Sequence, residues 1–147
     1  MRVYLDACCY NRPFDNPDID RNHLEAEAVV AILGHVQQGT WLLIGSEALD
    51  RELGAAPDAD RCQAMLGMAS AASESIAITQ REYDRSEALM RFGFERLDSL
   101  HVASAESAKC DVLLTTDDRL ARRAAKHASR LGVEVRNPVD WLLEQKR

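Results

Sequence analysis

Arg2-Val3-Tyr4-Leu5-Asp6 opens the chain as an apolar run ended by a carboxylate, and Val112-Leu113-Leu114-Thr115-Thr116-Asp117 repeats that arrangement far downstream. Runs that are apolar at consecutive positions suit parallel strands buried on both faces. Open α/β sheets bind ligands outside the carboxyl ends of their strands, which is where Asp6 and Asp117 fall. Trp41 to Ile44 is a third such run, turned by Gly45-Ser46 into a helix carrying Leu49, Glu52 and Leu53. Ser75 to Ile78 and Val133 to Val135 predict shorter strands.

Helical signals alternate with these strands. From about Asn22 the positions Leu24, Ala28, Ala31, Ile32, His35 and Val36 recur at helical spacing as a core-facing stripe, and Gly39 provides the stop. Cys62, Met65, Leu66 and Met68-Ala69 mark a helix reaching roughly Ser73, and Thr79-x-x-Glu82 is a capping box opening another that ends before Gly93. Leu97 to about Lys109 is the next. A basic helix spans roughly Asp118 to Leu131 before Gly132, and Pro138 starts a terminal helix through Trp141-Leu142-Leu143. Asn11 to Asp18, with Pro13 and Pro17, predicts a long loop after the first strand. The alternation predicts a central parallel sheet, covered on both faces and joined by right-handed crossovers.

The 147 residues suit one domain, 1–147, and a composition of 46% hydrophobic, 29% charged and 5% aromatic residues is that of a globular protein without a large base-stacking surface. No window reaches the ~18 uncharged apolar residues of a membrane span, and Met1-Arg2 leads straight into a strand rather than a secretory signal. A cytoplasmic protein without membrane attachment is expected. Cys8, Cys9, Cys62 and Cys110 lack paired zinc-ligand spacing and read as reduced, small apolar residues. The net charge of −6 argues against a broad nucleic-acid surface. A local one is compatible with Arg12, Arg51, Arg119, Arg122 and Arg123, which crowd the acidic positions.

Four acids, Asp6, Glu52, Asp98 and Asp117, sit where strands and helices can aim them at one pocket. Clustered carboxylates repel one another unless a cation joins them, and Mg²⁺ or Mn²⁺ favours such hard oxygen ligands. Each also has a plainer structural role open to it. Asp6 suits a turn, Asp98 the first turn of a helix, Asp117 a helix cap, and Glu52 a solvated helix face. Glu47 and Asp50 compete with Glu52, and Asp118 adjoins Asp117. His101, one turn from Asp98, reads as a packed core histidine outside the site. Arg119, Arg122, Arg123 and Lys126 read as a solvated helix face, with phosphate binding as the other reading.

The chain resembles PIN-domain ribonucleases, close to the VapC-type toxins of toxin–antitoxin pairs. The resemblance rests on Val3-Tyr4-Leu5-Asp6-Ala7-Cys8, on Ser46 followed six residues later by Glu52-Leu53, on Leu97-Asp98-Ser99-Leu100-His101-Val102-Ala103-Ser104-Ala105, and on Leu114-Thr115-Thr116-Asp117-Asp118-Arg119-Leu120. It implies a PIN-like three-layer α/β/α fold. It also implies an endoribonuclease in which Asp6, Glu52, Asp98 and Asp117 hold Mg²⁺ or Mn²⁺ as the catalytic acids, with Thr115 orienting them. The implied partners are RNA, a small antitoxin and a second copy of the chain, with the Leu24 to Val36 helix as the surface for either protein. Cys8 departs from the Ser, Thr or Asn common two residues after the first acid. A catalytically silent PIN-like binding module is the alternative from another class. A receiver-type phosphoacceptor domain lacks its acid pair and late Lys here, and no Gly-x-Gly-x-x-Gly marks a dinucleotide fold.

Overall fold

In the computed structural model, which describes residues 1–145, five parallel strands form one sheet in the order β3-β2-β1-β4-β5. They are β1 (Arg2–Leu5), β2 (Leu42–Ser46), β3 (Glu74–Ile76), β4 (Val112–Leu114) and β5 (Glu134–Arg136). The helices are α1 (Ala7–Asn11), α2 (Asp20–Gln37), α3 (Glu47–Gly54), α4 (Ala59–Ala69), α5 (Gln80–Met90), α6 (Arg96–Ser107), α7 (Asp118–Lys126) and α8 (Pro138–Gln145). The central strands β1 and β4 are buried along nearly their whole length, as their uninterrupted apolar sequence requires. Helices cover both sides, giving three α/β/α layers, with α2 packed on α8 and α5 on α6.

The order of the strands matters for function. From β1 the chain steps outward through β2 and β3, then crosses back to place β4 on the other side of β1. The switch point therefore lies between β1 and β4, where Asp6 donates its backbone N–H to the Leu114 carbonyl at 2.9 Å. A crevice opens at such a point because the flanking connections run to opposite faces.

Several local signals act as their chemistry predicts. Gly39 takes φ +79° after α2, and the backbone N–H of Thr40 returns to the His35 carbonyl at 2.9 Å. Glu82 accepts the Thr79 N–H at 2.9 Å and the Thr79 hydroxyl, closing the capping box of α5, and a third bond from Ser107 at 2.6 Å ties α5 to α6. Burial opposes the Glu82 charge, but these hydrogen bonds outweigh it and bring the carboxyl down to about 2.

Other expectations are corrected. The predicted loop after β1 begins as a helix, because Asp6 caps α1 directly and Pro13 then leads a turn of 3₁₀ helix over Arg12–Phe14. The basic helix stops at Lys126, with a separate 3₁₀ turn at Ala128–Arg130. The buried face of α2 is Glu25, Ala28, Val29 and Ile32, while Leu24 is 55% exposed. The apolar stripe is thus rotated away from Leu24 by a buried carboxylate, which Arg12 and Arg21 make tolerable. No helix of the described residues is long and apolar enough to cross a membrane.

Candidate metal centre

Asp6 stands immediately beyond β1 and is 5% exposed. Its Oδ1 accepts the Ala7 N–H at 2.8 Å, and its Oδ2 accepts the Thr115 hydroxyl at 2.9 Å. The Cys8 thiol approaches Oδ2 at 3.4 Å and also lies 3.3 Å from Thr115 Oγ1. Thr115 Oγ1 in turn accepts the Asp117 N–H at 3.1 Å, so one hydroxyl couples the two strand-end acids. Asp117 is the N-cap of α7, accepting the N–H groups of Arg119 and Leu120. The capping role therefore coexists with a half-buried place beside the other acids.

Glu52 reaches the pocket from α3. That helix starts where Ser46 accepts the Leu49 N–H at 3.0 Å, and Glu52 Oε1 lies 3.0 Å from His101 Nε2. A carboxylate only accepts, so Nε2 carries the hydrogen. His101 Nδ1 meets the Tyr4 hydroxyl at 2.6 Å, and that hydroxyl meets Ser46 Oγ, also at 2.6 Å. One polar chain thus runs from the start of α3 through Tyr4 on β1 to His101 on α6 and back to Glu52. Burial pushes the Tyr4 phenol well up, so it remains a hydroxyl throughout the physiological range.

His101 is fully buried, as expected, yet it belongs to the site. Its Nε2 lies 3.7 Å from Asp6 Oδ1, and Asp6, Glu52 and His101 each offer one atom within 4.8 Å of the other two. The signal was present in the sequence, since a residue three positions after Asp98 shares its helix face. Burial alone would lower the imidazole, but the hydrogen bond to Glu52 and the charges of Asp6, Glu52 and Asp98 outweigh it and raise it.

Asp98 is half-buried in the first turn of α6. Burial first, then the charges of Asp6 and Asp117, push its carboxyl up to about 6, with His101 opposing. Such a shift places Asp98 electrostatically in the same acidic group.

Two of the competing acids are engaged elsewhere, and Asp50 is exposed on α3. Glu47 binds Arg51 at 2.5 Å and accepts the Ile78 N–H at 2.9 Å. Asp118 is held by both guanidinium nitrogens of Arg21, at 2.6 and 2.7 Å. Asp50 lies near Tyr10, its carboxyl raised by partial desolvation. Arg12 is paired with Glu25 and Asp15.

No profile of a known protein family matches this sequence, and no curated protein matches it. Solved structures do. A chain in the crystal structure of VapBC2 from Rickettsia felis bound to a DNA fragment from their promoter superimposes with a TM-score of 0.53. The match covers 93% of this chain and 98% of that one at 16% identity. The fold is PIN-like. At that identity the likeness establishes the architecture, and the chemistry must come from the PIN-like chain's own strand-end residues.

The donor set fits a divalent cation. Carboxylate oxygens are the ligands Mg²⁺ and Mn²⁺ favour, and among the described residues no Lys or Arg forms an ion pair with Asp6, Glu52 or Asp98. Asp6, Glu52 and His101 bring donor atoms close enough to share an ion, His101 as a nitrogen donor or, while Nε2 keeps its hydrogen, as the group that aims Glu52, whereas Asp98 and Asp117 bring no ligand atom into that close group.

Proposed function

We propose that this chain is a divalent-metal-dependent endoribonuclease that hydrolyses RNA phosphodiester bonds, and that it acts in the cytoplasm as the toxin of a toxin–antitoxin pair. The observation that carries the reading is the meeting of Asp6, Glu52 and His101 beside the sheet's switch point, each offering one atom within 4.8 Å of the other two with no Lys or Arg paired to them among the described residues. The half-buried Asp98 carboxyl, raised by burial and by the charges of Asp6 and Asp117, adds to a group of acids that a bound cation would relieve. Asp6, Glu52, Asp98 and Asp117 are the proposed ligands for Mg²⁺ or Mn²⁺.

A bound ion would polarise a phosphoryl oxygen and lower the pKa of water, the chemistry that hydrolysis of a phosphodiester needs. The chain's own residues set the geometry. Ala7 N–H and the Thr115 hydroxyl fix both oxygens of Asp6, and Thr115 carries that register to Asp117. His101, braced by Tyr4, holds Glu52 in place. The motif resemblance to VapC-type toxins, together with a fold shared with a chain of the VapBC2 assembly, supports a small antitoxin that covers the acidic pocket.

Purified protein supplied with Mn²⁺ should cut single-stranded RNA, lose that activity to EDTA and regain it with fresh metal. Asp6→Asn should be folded and inactive. Cleavage undiminished in Asp6→Asn overturns the assignment, and a wild-type chain that neither binds Mn²⁺ in calorimetry nor cuts RNA is the silent binding module instead.

A further inference from the structure

Beside the acids, α7 presents the opposite charge. Arg119, Arg122, Arg123 and Lys126 recur at i, i+3, i+4 and i+7, a stripe about 10 Å long. With Phe92, Gly93 and His127 they line an open cavity of about 470 Å³. The stripe begins two residues after Asp117, and its first member, Arg119, lines the cavity and donates its backbone N–H to the Asp117 carboxylate at 2.9 Å.

Three observations separate this stripe from an ordinary solvated helix face. First, its cations are largely unneutralised in an acidic chain. Arg12, Arg21 and Arg136 each bind two carboxylates. Arg122, Arg123 and Lys126 form no ion pair within 4.0 Å among the described residues, although Arg122 acts on Asp118 at longer range, and Arg119 has only a 3.3 Å contact with exposed Glu95. Second, the helix macrodipole favours cations in the last turn, which suits Arg123 and Lys126, but disfavours them in the first, where Arg119 sits. Third, the cavity has a shaped wall. Gly93 takes φ +96°, a conformation that favours glycine, and the Arg123 guanidinium lies at van der Waals distance from it, with Nε 3.4 Å from where a Cβ would stand. The Phe92 and His127 rings lie 5.3 Å apart behind it, and the Arg130 guanidinium sits 4.7 Å over Phe92.

We infer that this groove binds the phosphodiester backbone of a single-stranded nucleic acid beside the bond to be cut, a substrate-positioning site that rests on the nuclease reading above. Guanidinium groups match phosphate geometry, and a cationic track adjoining a metal centre holds a strand without reading its bases.

The test uses full-length protein in the Asp6→Asn background, so that the strand stays uncut. Anisotropy of a labelled single-stranded RNA of about 12 nucleotides, and of DNA of the same sequence, is followed against salt. Arg122→Ala with Arg123→Ala should weaken binding about tenfold near 0.15 M salt and make the salt slope shallower by about 1.4, since each single-strand phosphate contact releases ~0.7 counterion. Arg122→Glu with Lys126→Glu, both exposed positions whose folding thermal melts verify, should weaken it further. In the active background KM should rise about tenfold while kcat holds. RNA bound above DNA adds a role for the 2′-hydroxyl, and equal binding assigns recognition to the shared backbone; both support the groove.

Unchanged affinity and salt slope in these variants overturn the inference, as does a loss confined to a poly-glutamate peptide, which would assign the stripe to a protein partner. A wild-type chain that binds RNA through the stripe but cuts none leaves the groove standing and removes the nuclease reading. Cleavage with KM indifferent to the stripe does the reverse.

Discussion

Two buried acidic regions of this molecule solve the same electrostatic problem in opposite ways. Glu25, 2% exposed on α2, is satisfied from within, by Arg12 at 2.8 Å, Arg21 at 3.2 Å and the Asn137 amide at 2.6 Å. Asp6, Glu52 and Asp98 gather at the strand ends with hydroxyls, a thiol, a backbone amide and one histidine, but no Lys or Arg ion pair among the described residues. A carboxylate paired with arginine is a structural element whose balance is complete on folding. Carboxylates left to one another keep an opening for an outside cation.

The contrast can be broken by mutation. Glu25→Ala leaves Arg12 with Asp15 and Arg21 with Asp118 but takes the acceptor from the Asn137 amide, and should cost about 1–3 kcal/mol in urea denaturation, equally with and without Mn²⁺. A stability loss repaired by Mn²⁺ would make Glu25 part of the metal site and collapse the distinction. At the strand ends, His101→Leu removes the donor that aims Glu52, and Mn²⁺ affinity by calorimetry should fall roughly 10- to 100-fold.

The pH dependence sharpens the comparison further. Because the Asp98 carboxyl is raised from 3.8 to about 6, its contribution to metal-free stability is full below its ordinary value and is lost as pH rises through about 6. Metal needs the ionised form, so Mn²⁺ affinity should drop about tenfold per pH unit below ~6 and level off above it. Asp98→Asn should flatten that profile in Mn²⁺ titrations, and a slope unaffected by this change would remove Asp98 from the ligand set. The smallest effect is expected from Cys8→Ser, which replaces a 3.4 Å thiol contact to Asp6 with a stronger hydroxyl donor. Mn²⁺ affinity should rise by less than about threefold, a few tenths of a kcal/mol.

The architecture was legible because its signals are local. Consecutive apolar residues marked β1 and β4, and Thr79 with Glu82 marked the start of α5, all from neighbours in sequence. The short helix after Asp6 was hidden because five residues carry too little periodicity to stand against the prolines that follow. Three acids on α3 were indistinguishable by composition, since only rotation about the helix sends Glu47 to Arg51 and Ile78 while Glu52 meets His101. His101 was missed for a related reason. Its fully buried side chain is packed as a core residue would be, and only the fold reveals that Tyr4 and Glu52 bind its two nitrogens.

The hydroxyl of Thr115 that grips Asp6 comes from 109 residues away in the chain. That separation sets a time as well as a place. A nascent polypeptide emerging from the ribosome displays Asp6 at once, but the partner that orients it arrives only after most of the protein has been made. Any fragment ending before β4 lacks the wall against which Asp6 is fixed, and non-local pairings of this span close late in folding. A chain that cuts RNA through these acids would therefore be inert towards the message being translated until its own synthesis was nearly complete.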